Sequence, residues 1–292
     1  MDFRTDLALE RKEMIKTGLE GVKVKEYEND ECKTTVIDIE SSLAAQKLDK
    51  GIGRYITIEM NPFSHEAPVS DGRLQALMDS IKKLLPNGNG TVLVAGVGNM
   101  SITSDALGPM TASMIFATRH IDDELRKSAG FDEKLRPVCA VSAGVLGQTG
   151  IESGEYIKSI CDTVKPDCVI TIDALAAGSV SRLGNTVQMS DTGIAPGSGI
   201  GNARKRIDEG YLGVPVIAIG VPTVVDALSL ACELSGADIK SIDKKQMKNA
   251  SGLIVAPKDI DLMVKNASYL LALALNCALQ PTLSVKELYA LM

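Results

Sequence analysis

The chain has 292 residues, of which 45% are hydrophobic and 23% charged, with a formal net charge of −6. That composition excludes a disordered chain and leaves room for one large α/β domain or a core with a smaller appendage. The acidic balance excludes a general nucleic-acid binder, whose affinity needs a basic footprint, so no direct nucleic-acid partner is expected.

Three N-terminal segments, Gly21 to Tyr27, Thr34 to Glu40 and Gly53 to Met60, alternate apolar and polar residues. This is the pattern of half-exposed strands, and the short connections between them favour antiparallel pairing. Asp71 to Leu85 carries Leu74, Leu77, Met78, Ile81, Leu84 and Leu85 at helical spacing and stops at Pro86-Asn87-Gly88. From Thr91 the pattern changes to short continuous apolar strands separated by helices. Strands are predicted over Thr91 to Val97, Pro137 to Ser142, Cys168 to Ile172, Thr186 to Met189 and Val214 to Gly220. Helices are predicted over Ala106 to His120, Glu152 to Val164, Val224 to Ser235 and Asp259 to Leu279.

Such a sequence predicts an α/β fold, a mostly parallel sheet with helices on both faces, preceded by a small N-terminal antiparallel β appendage. The division falls at residues 1–90 and 91–292, within one integrated domain. Ser190 to Gly213 is a long Gly-rich segment, and its length suggests a part in lining or gating a cleft. Arg204, Lys205 and Arg206 within it read as a solvated face.

The six cysteines show no paired spacing and mostly sit in apolar segments, as small hydrophobes in a reducing compartment do. No signal peptide opens the chain, and the longest apolar run, Tyr269 to Leu275, is short of the about 20 residues that span a membrane. A cytoplasmic protein with no membrane partner is expected.

Ligands of open α/β sheets bind beyond the carboxyl ends of the strands. The strand ending at Val97 runs into Gly98 to Asp105, and the strand ending at Ile172 runs into Asp173. Two acids on one rim form the simplest apparatus for amide hydrolysis: one carboxylate draws a proton from water while a protonated partner donates one. Taken singly, each acid is more plainly a helix cap, Asp105 for Ala106-Leu107 and Asp173 for Ala174-Leu175-Ala176.

Other chemistries are poorly served. Gly96-Val97-Gly98-Asn99-Met100-Ser101 approximates a dinucleotide fingerprint, but the next strand ends at Ser142-Ala143-Gly144 without the acid that would hold a ribose. There is no HExxH, no GxSxG and only two histidines, His65 in a Pro-flanked loop and His120 at a helix end, so neither a metal nor a cofactor is expected.

At these same residues the chain resembles the germination protease family, the spore endopeptidases that degrade small acid-soluble spore proteins. The anchors are Phe3-Arg4-Thr5-Asp6-Leu7-Ala8-Leu9-Glu10, Ser104-Asp105-Ala106-Leu107-Gly108-Pro109, Ile172-Asp173-Ala174-Leu175-Ala176-Ala177, Ser190 to Gly199 and Gly213 to Ala227. The resemblance implies a fold similar to hydrogenase-maturation endopeptidases, a homotetramer, and essential aspartates at Asp105 and Asp173. It also implies a self-processing zymogen, although only Met1, Asp2 and Phe3 precede the Arg4-Thr5-Asp6 motif. Two further readings share these residues: a metal-dependent maturation-type protease of the same fold, and a non-catalytic binding protein.

Overall fold

The computed structural model describes residues 5–13, 15, 19–63, 72–128, 134–197, 205–236 and 252–292. Nine strands form one sheet: β1 (Val22–Glu28), β2 (Cys32–Ile39), β3 (Gly53–Met60), β4 (Val92–Val97), β5 (Val138–Gly144), β6 (Cys168–Ala177), β7 (Thr186–Ser190), β8 (Val216–Asp226) and β9 (Ile254–Val255). Their order is β1-β2-β3-β7-β8-β6-β4-β5, with β9 against β8.

The parallel part is the block β5-β4-β6-β8. β1, β2, β3 and β7 pair antiparallel, and β7 also runs antiparallel to β8. The α/β class therefore holds, but the sheet is mixed rather than mostly parallel. The departure comes from β7, which alternation-free reading places with the parallel strands. β7 joins the N-terminal meander to the parallel block, through the register Tyr55↔Ser190 on one side and Met189↔Ile219 on the other.

Period-2 alternation divides each central strand between two cores. Val92 and Val94 of β4 face the cluster built with the Gly72–Leu84, Leu107–Ser113 and Ile260–Leu279 helices, while Leu93, Ala95 and Val97 face a second cluster with the Ser153–Val164 helix. Helices cover both faces, as the continuous apolar strands require. On the second face, Ile37, Ile39 and Tyr55 of β2 and β3 pack against the Ala8–Glu13 and Ser42–Leu48 helices.

Several elements depart from their expected bounds. The Ile260–Leu279 helix spans 20 residues and is apolar enough to cross a membrane by length and composition, which the interrupted run at Asn276 had hidden. It is 78% buried over its most apolar window and is the central core helix of this fold. Asn276 is tolerated there because its side chain accepts from Phe116 N and donates to Met114 O. The helix expected over Ala106 to His120 is only Leu107–Ser113, so His120 closes no helix and lies exposed in a turn. β8 continues to Asp226, which caps the Ala227–Ser235 helix by accepting from Leu228 N and Ser229 N.

The cysteines behave as the apolar reading expects. All six are free, and burial pushes the Cys168 thiol up to about 12.

Candidate active site

Asp105 is placed by three glycines. β4 gives way to Gly98, whose φ of +126° is a left-handed-side conformation and whose missing Cβ would lie 2.1 Å from the Asp105 carbonyl oxygen. The loop then turns back on itself through Ile102 N to Asn99 O and Asp105 N to Ile102 O. A Cβ on Gly96 would meet Gly108 O at 2.2 Å, and one on Gly108 would meet both Ile172 O and Val97 O at 2.3 Å. The helix start is therefore pressed directly onto β4 and β6. This explains the glycine in Asp105-Ala106-Leu107-Gly108-Pro109.

Those contacts are backbone to backbone, so no side-chain rotation can relieve them. Gly108→Ala is expected to cost about 2 kcal/mol through overpacking, read as a lowered urea midpoint with an unchanged slope.

The Asp105 carboxylate does not cap the following helix. Its N-cap is Ala106 without a side-chain bond, and Asp105 Oδ2 instead accepts the Asn99 N–H at 2.8 Å. That bond also closes the dinucleotide reading, because a carboxylate occupies the loop where a phosphate would need bare amides. Thr223 of β8 donates to Ser104 O at 2.7 Å and so ties the Asp105 loop to the sheet.

Asp173 is no cap either. β6 runs on through Ala177, so Asp173 sits within the strand opposite Gly220. It is 5% exposed, and its Oδ1 accepts the Ala174 N–H at 2.9 Å. Gly220 has no Cβ, and one there would meet Leu175 Cγ at 2.5 Å, so the neighbouring strand can lie close beside Asp173.

Asp105 and Asp173 line one cavity of about 210 Å3. Its remaining wall is largely apolar, with Val97, Ile102, Val145, Leu175 and Val224. Asp6 lines it as well, and the sequence reading did not single it out. No strand end marks Asp6; only its place in the Arg4-Thr5-Asp6 motif could have drawn notice. Its backbone N–H donates to Ala176 O at 3.0 Å and its Oδ2 accepts the Ala176 N–H at 2.9 Å, so the N-terminal segment runs against the end of β6. Glu10 fixes the same segment by accepting from Gly178 N, Ser179 N and the Thr5 hydroxyl.

A second cavity of about 270 Å3 adjoins the first and shares Asp6, Asp173, Leu175 and Gly197 with it. Residues of the Gly-rich segment line both, with Ser190, Thr192 and Arg206 in the second and Pro196 in the first. The segment is pinned across its base by the Ile194–Ile207 pair, at 2.9 and 2.7 Å. Arg206 thus belongs to a cavity wall and not only to a solvated face. Arg204, the middle of the Gly-rich segment and His65 lie outside the described residues. His120 lines neither cavity. Among the described residues, no three His, Cys, Asp or Glu side chains gather as a metal site would need.

Residues 4–251 match the family profile described as germination protease. The chain belongs to the germination protease family. Its likeness to curated members runs from end to end: it is 37% identical over 320 positions to the germination protease of Clostridium tetani, covering 99% of this chain and 98% of that one. Against the Caldanaerobacter subterraneus germination protease the identity is 39% over 328 positions, covering 100% and 98%. A Bacillus cereus germination protease is 40% identical over 245 positions, covering 79% of this chain and 65% of its own. Among solved structures, the [NiFe] hydrogenase maturation protease HycI of Thermococcus kodakarensis aligns over 67% of this chain and 98% of its own, at 17% identity and a TM-score of 0.37. The α/β assignment rests on the sheet order itself. Membership of the germination protease family makes this chain a protease.

Proposed function

We propose that the chain is the endopeptidase that begins degradation of small acid-soluble spore proteins during germination, with water activated by Asp105 and Asp173. The observation that carries this reading is the meeting of the two acids, from the β4 loop and from β6, in one cavity with an apolar wall. Such a wall keeps water scarce and strengthens the electrostatics of a shared proton. One ionised carboxylate takes a proton from the attacking water, and the protonated partner donates to the carbonyl oxygen or leaving amine. Neither step calls for a resident metal.

The same reading includes a self-processing zymogen, a homotetramer and residence in the cytoplasm of the spore core. The N-terminal segment supports the zymogen, since Asp6 lies in the cavity that holds both acids. The substrate needs no DNA contact by the enzyme, in keeping with a net charge of −6.

Once it has processed itself, the purified chain is expected to cut a small acid-soluble spore protein at a few discrete internal positions, read by mass spectrometry, and to do so under a strong chelator. An intact substrate would sink the reading, and cleavage abolished by the chelator would sink its metal-free form.

A further inference from the structure

The pairing of β8 with β6 has one irregularity, and it falls beside the acids. The two strands pair in step from Val169↔Val216 to Leu175↔Pro222, then resume at Ala176↔Val224. Thr223 is the residue left over, a bulge on β8. Pro222 before it has no N–H to give a ladder, and proline inside a sheet keeps to edges, strand starts and bulges. Neighbours on a regular strand point to opposite faces, yet Thr223 and Val224 both border the cavity that holds Asp105 and Asp173. The bulge accounts for that.

Thr223 is 0% exposed, and its Oγ1 donates at 2.7 Å to Ser104 O, the carbonyl immediately before Asp105. At such depth little solvent competes for the bond, so its loss is felt in full. The start of the same loop is held more loosely. Gln148 Nε2 donates to Asn99 Oδ1 at 2.6 Å, but in an exposed setting where water competes.

A short path therefore joins the two acids. Asp173 stands on β6 opposite Gly220, and two residues on Leu175 is in register with Pro222. Thr223 follows Pro222 and holds Ser104, and Asp105 is next in the chain. The only side-chain torsion in that path is χ1 of Thr223, which β-branching stiffens. Two carboxylates share a proton only while they are close, so a fixed path sets how strongly they couple. The other charged groups about the pair are Asp6 in the same cavity and Arg11, Asp49, Lys50 and Arg206 in the adjoining one.

We propose that Thr223 is a positioning residue for peptide cleavage: the β8 bulge, through the Thr223 hydroxyl and Ser104 O, fixes the distance at which Asp105 faces Asp173. This rests on the peptidase reading of the two acids. Too buried to meet a substrate, Thr223 acts only through the loop it holds.

The test compares Thr223→Val, which keeps the shape and removes the donor, with Thr223→Ser, which keeps the donor. Thr223→Ala removes the same donor without placing a methyl against Ser104 O, and is read in the same way. Thr171→Val is the matched control: Thr171 on β6 is equally buried and donates to Ile217 O at 3.3 Å, but lines neither cavity. Each full-length variant is assayed on a peptide from a small acid-soluble spore protein, under conditions in which the parent processes itself. The Asp105 and Asp173 carboxyls are titrated in parallel by NMR.

Thr223→Val is expected to lower kcat by about tenfold to a hundredfold, the scale of a misplacement near one ångström, with KM within about twofold. The two titration steps of the pair are expected to draw together, as weaker coupling between separated acids requires. Thr223→Ser should recover kcat to within about threefold of the parent. Thr171→Val should lose a few degrees of melting temperature with kcat and titration unchanged. If both Thr223→Val and Thr223→Ala match that control in kcat and titration, or if Thr223→Ser is as impaired as they are, the assignment is overturned. If no chain cuts the peptide, the parent included, but the titration steps still draw together on loss of the Thr223 donor, the positioning role stands and the peptidase reading falls.

Discussion

Asp173→Asn is expected to lower kcat for peptide cleavage by about a thousandfold or more, the scale on which general acid–base catalysis acts. The substitution keeps the shape of the side chain and the oxygen that accepts the Ala174 N–H, so the strand is undisturbed. What it removes is the capacity to exchange a proton at that wall of the cavity. The melting temperature is expected to stay within about 2 °C of the parent, since the side chain keeps its volume and no cavity is created. Asp105→Asn should behave alike, with the Asn99 N–H still accepted by the remaining oxygen. The double variant should be little worse than either single one, because groups that act as a unit are not additive. Full cleavage by either single variant would end the dyad reading.

Arg182→Ala is expected to be strongly destabilising although the residue lies away from the cavities. Arg182 is 10% exposed at its side chain and joins Glu59 at 2.7 Å, Glu13 at 2.8 Å and Glu10 at 3.5 Å, so one guanidinium ties the N-terminal helix to β3. Its removal leaves Glu10, 5% exposed, without its cation. Breaking a buried pair from one side typically costs about 3 kcal/mol, and the exposed Glu13 adds little to that. The loss should appear as a melting point lower by roughly 5–10 °C.

The sign of the pH dependence follows from Glu10. Burial already raises its pKa above the ordinary value, against the Thr5 hydroxyl, the Gly178 and Ser179 amides and Arg182. Without Arg182 the pKa rises further. A carboxyl whose folded pKa is raised favours the fold below its unfolded pKa and loses that contribution as pH rises through the folded one. The deficit of Arg182→Ala should therefore be smaller near about pH 5 than near about pH 7. A deficit that grows on acidification would contradict this account of Glu10.

Much of the fold was legible because β4, β6 and β8 are covered on both sides, and continuous apolar runs such as Val92–Val97 have no other plausible reading. The antiparallel run of β7 was not legible. Thr186–Ser190 is buried at every position, and burial pattern alone carries no information about strand direction. The strand ends were also set by tertiary contacts. Asp173-Ala174-Leu175-Ala176 has good helix formers, yet pairing with β8 as far as Ala177↔Val225 holds it extended.

At the site, position relative to expected strand ends drew attention to Asp105 and Asp173, which the structure brings to one cavity, and the glycines around them account for their placement. Asp6, and Lys50 and Gln188 of the second cavity's wall, escaped because they meet across long sequence separations: Lys50 and Gln188 both donate to Asp6 O. The capping reading of both acids failed for one reason. Each carboxylate is turned to a local amide rather than to a helix start.

The place of β7 between β3 and β8 has a consequence for synthesis on the ribosome. The N-terminal meander ends at Met60, but its partner strand begins at Thr186 and is itself held by β8. At translation rates of about 5–20 residues per second, the edge of β3 waits on the order of ten seconds for its neighbour. Between them the walls of the two cavities draw on residues from Thr5 to Ile254. A nascent chain therefore has neither cavity assembled until most of it has emerged, and a truncated product released early would lack both.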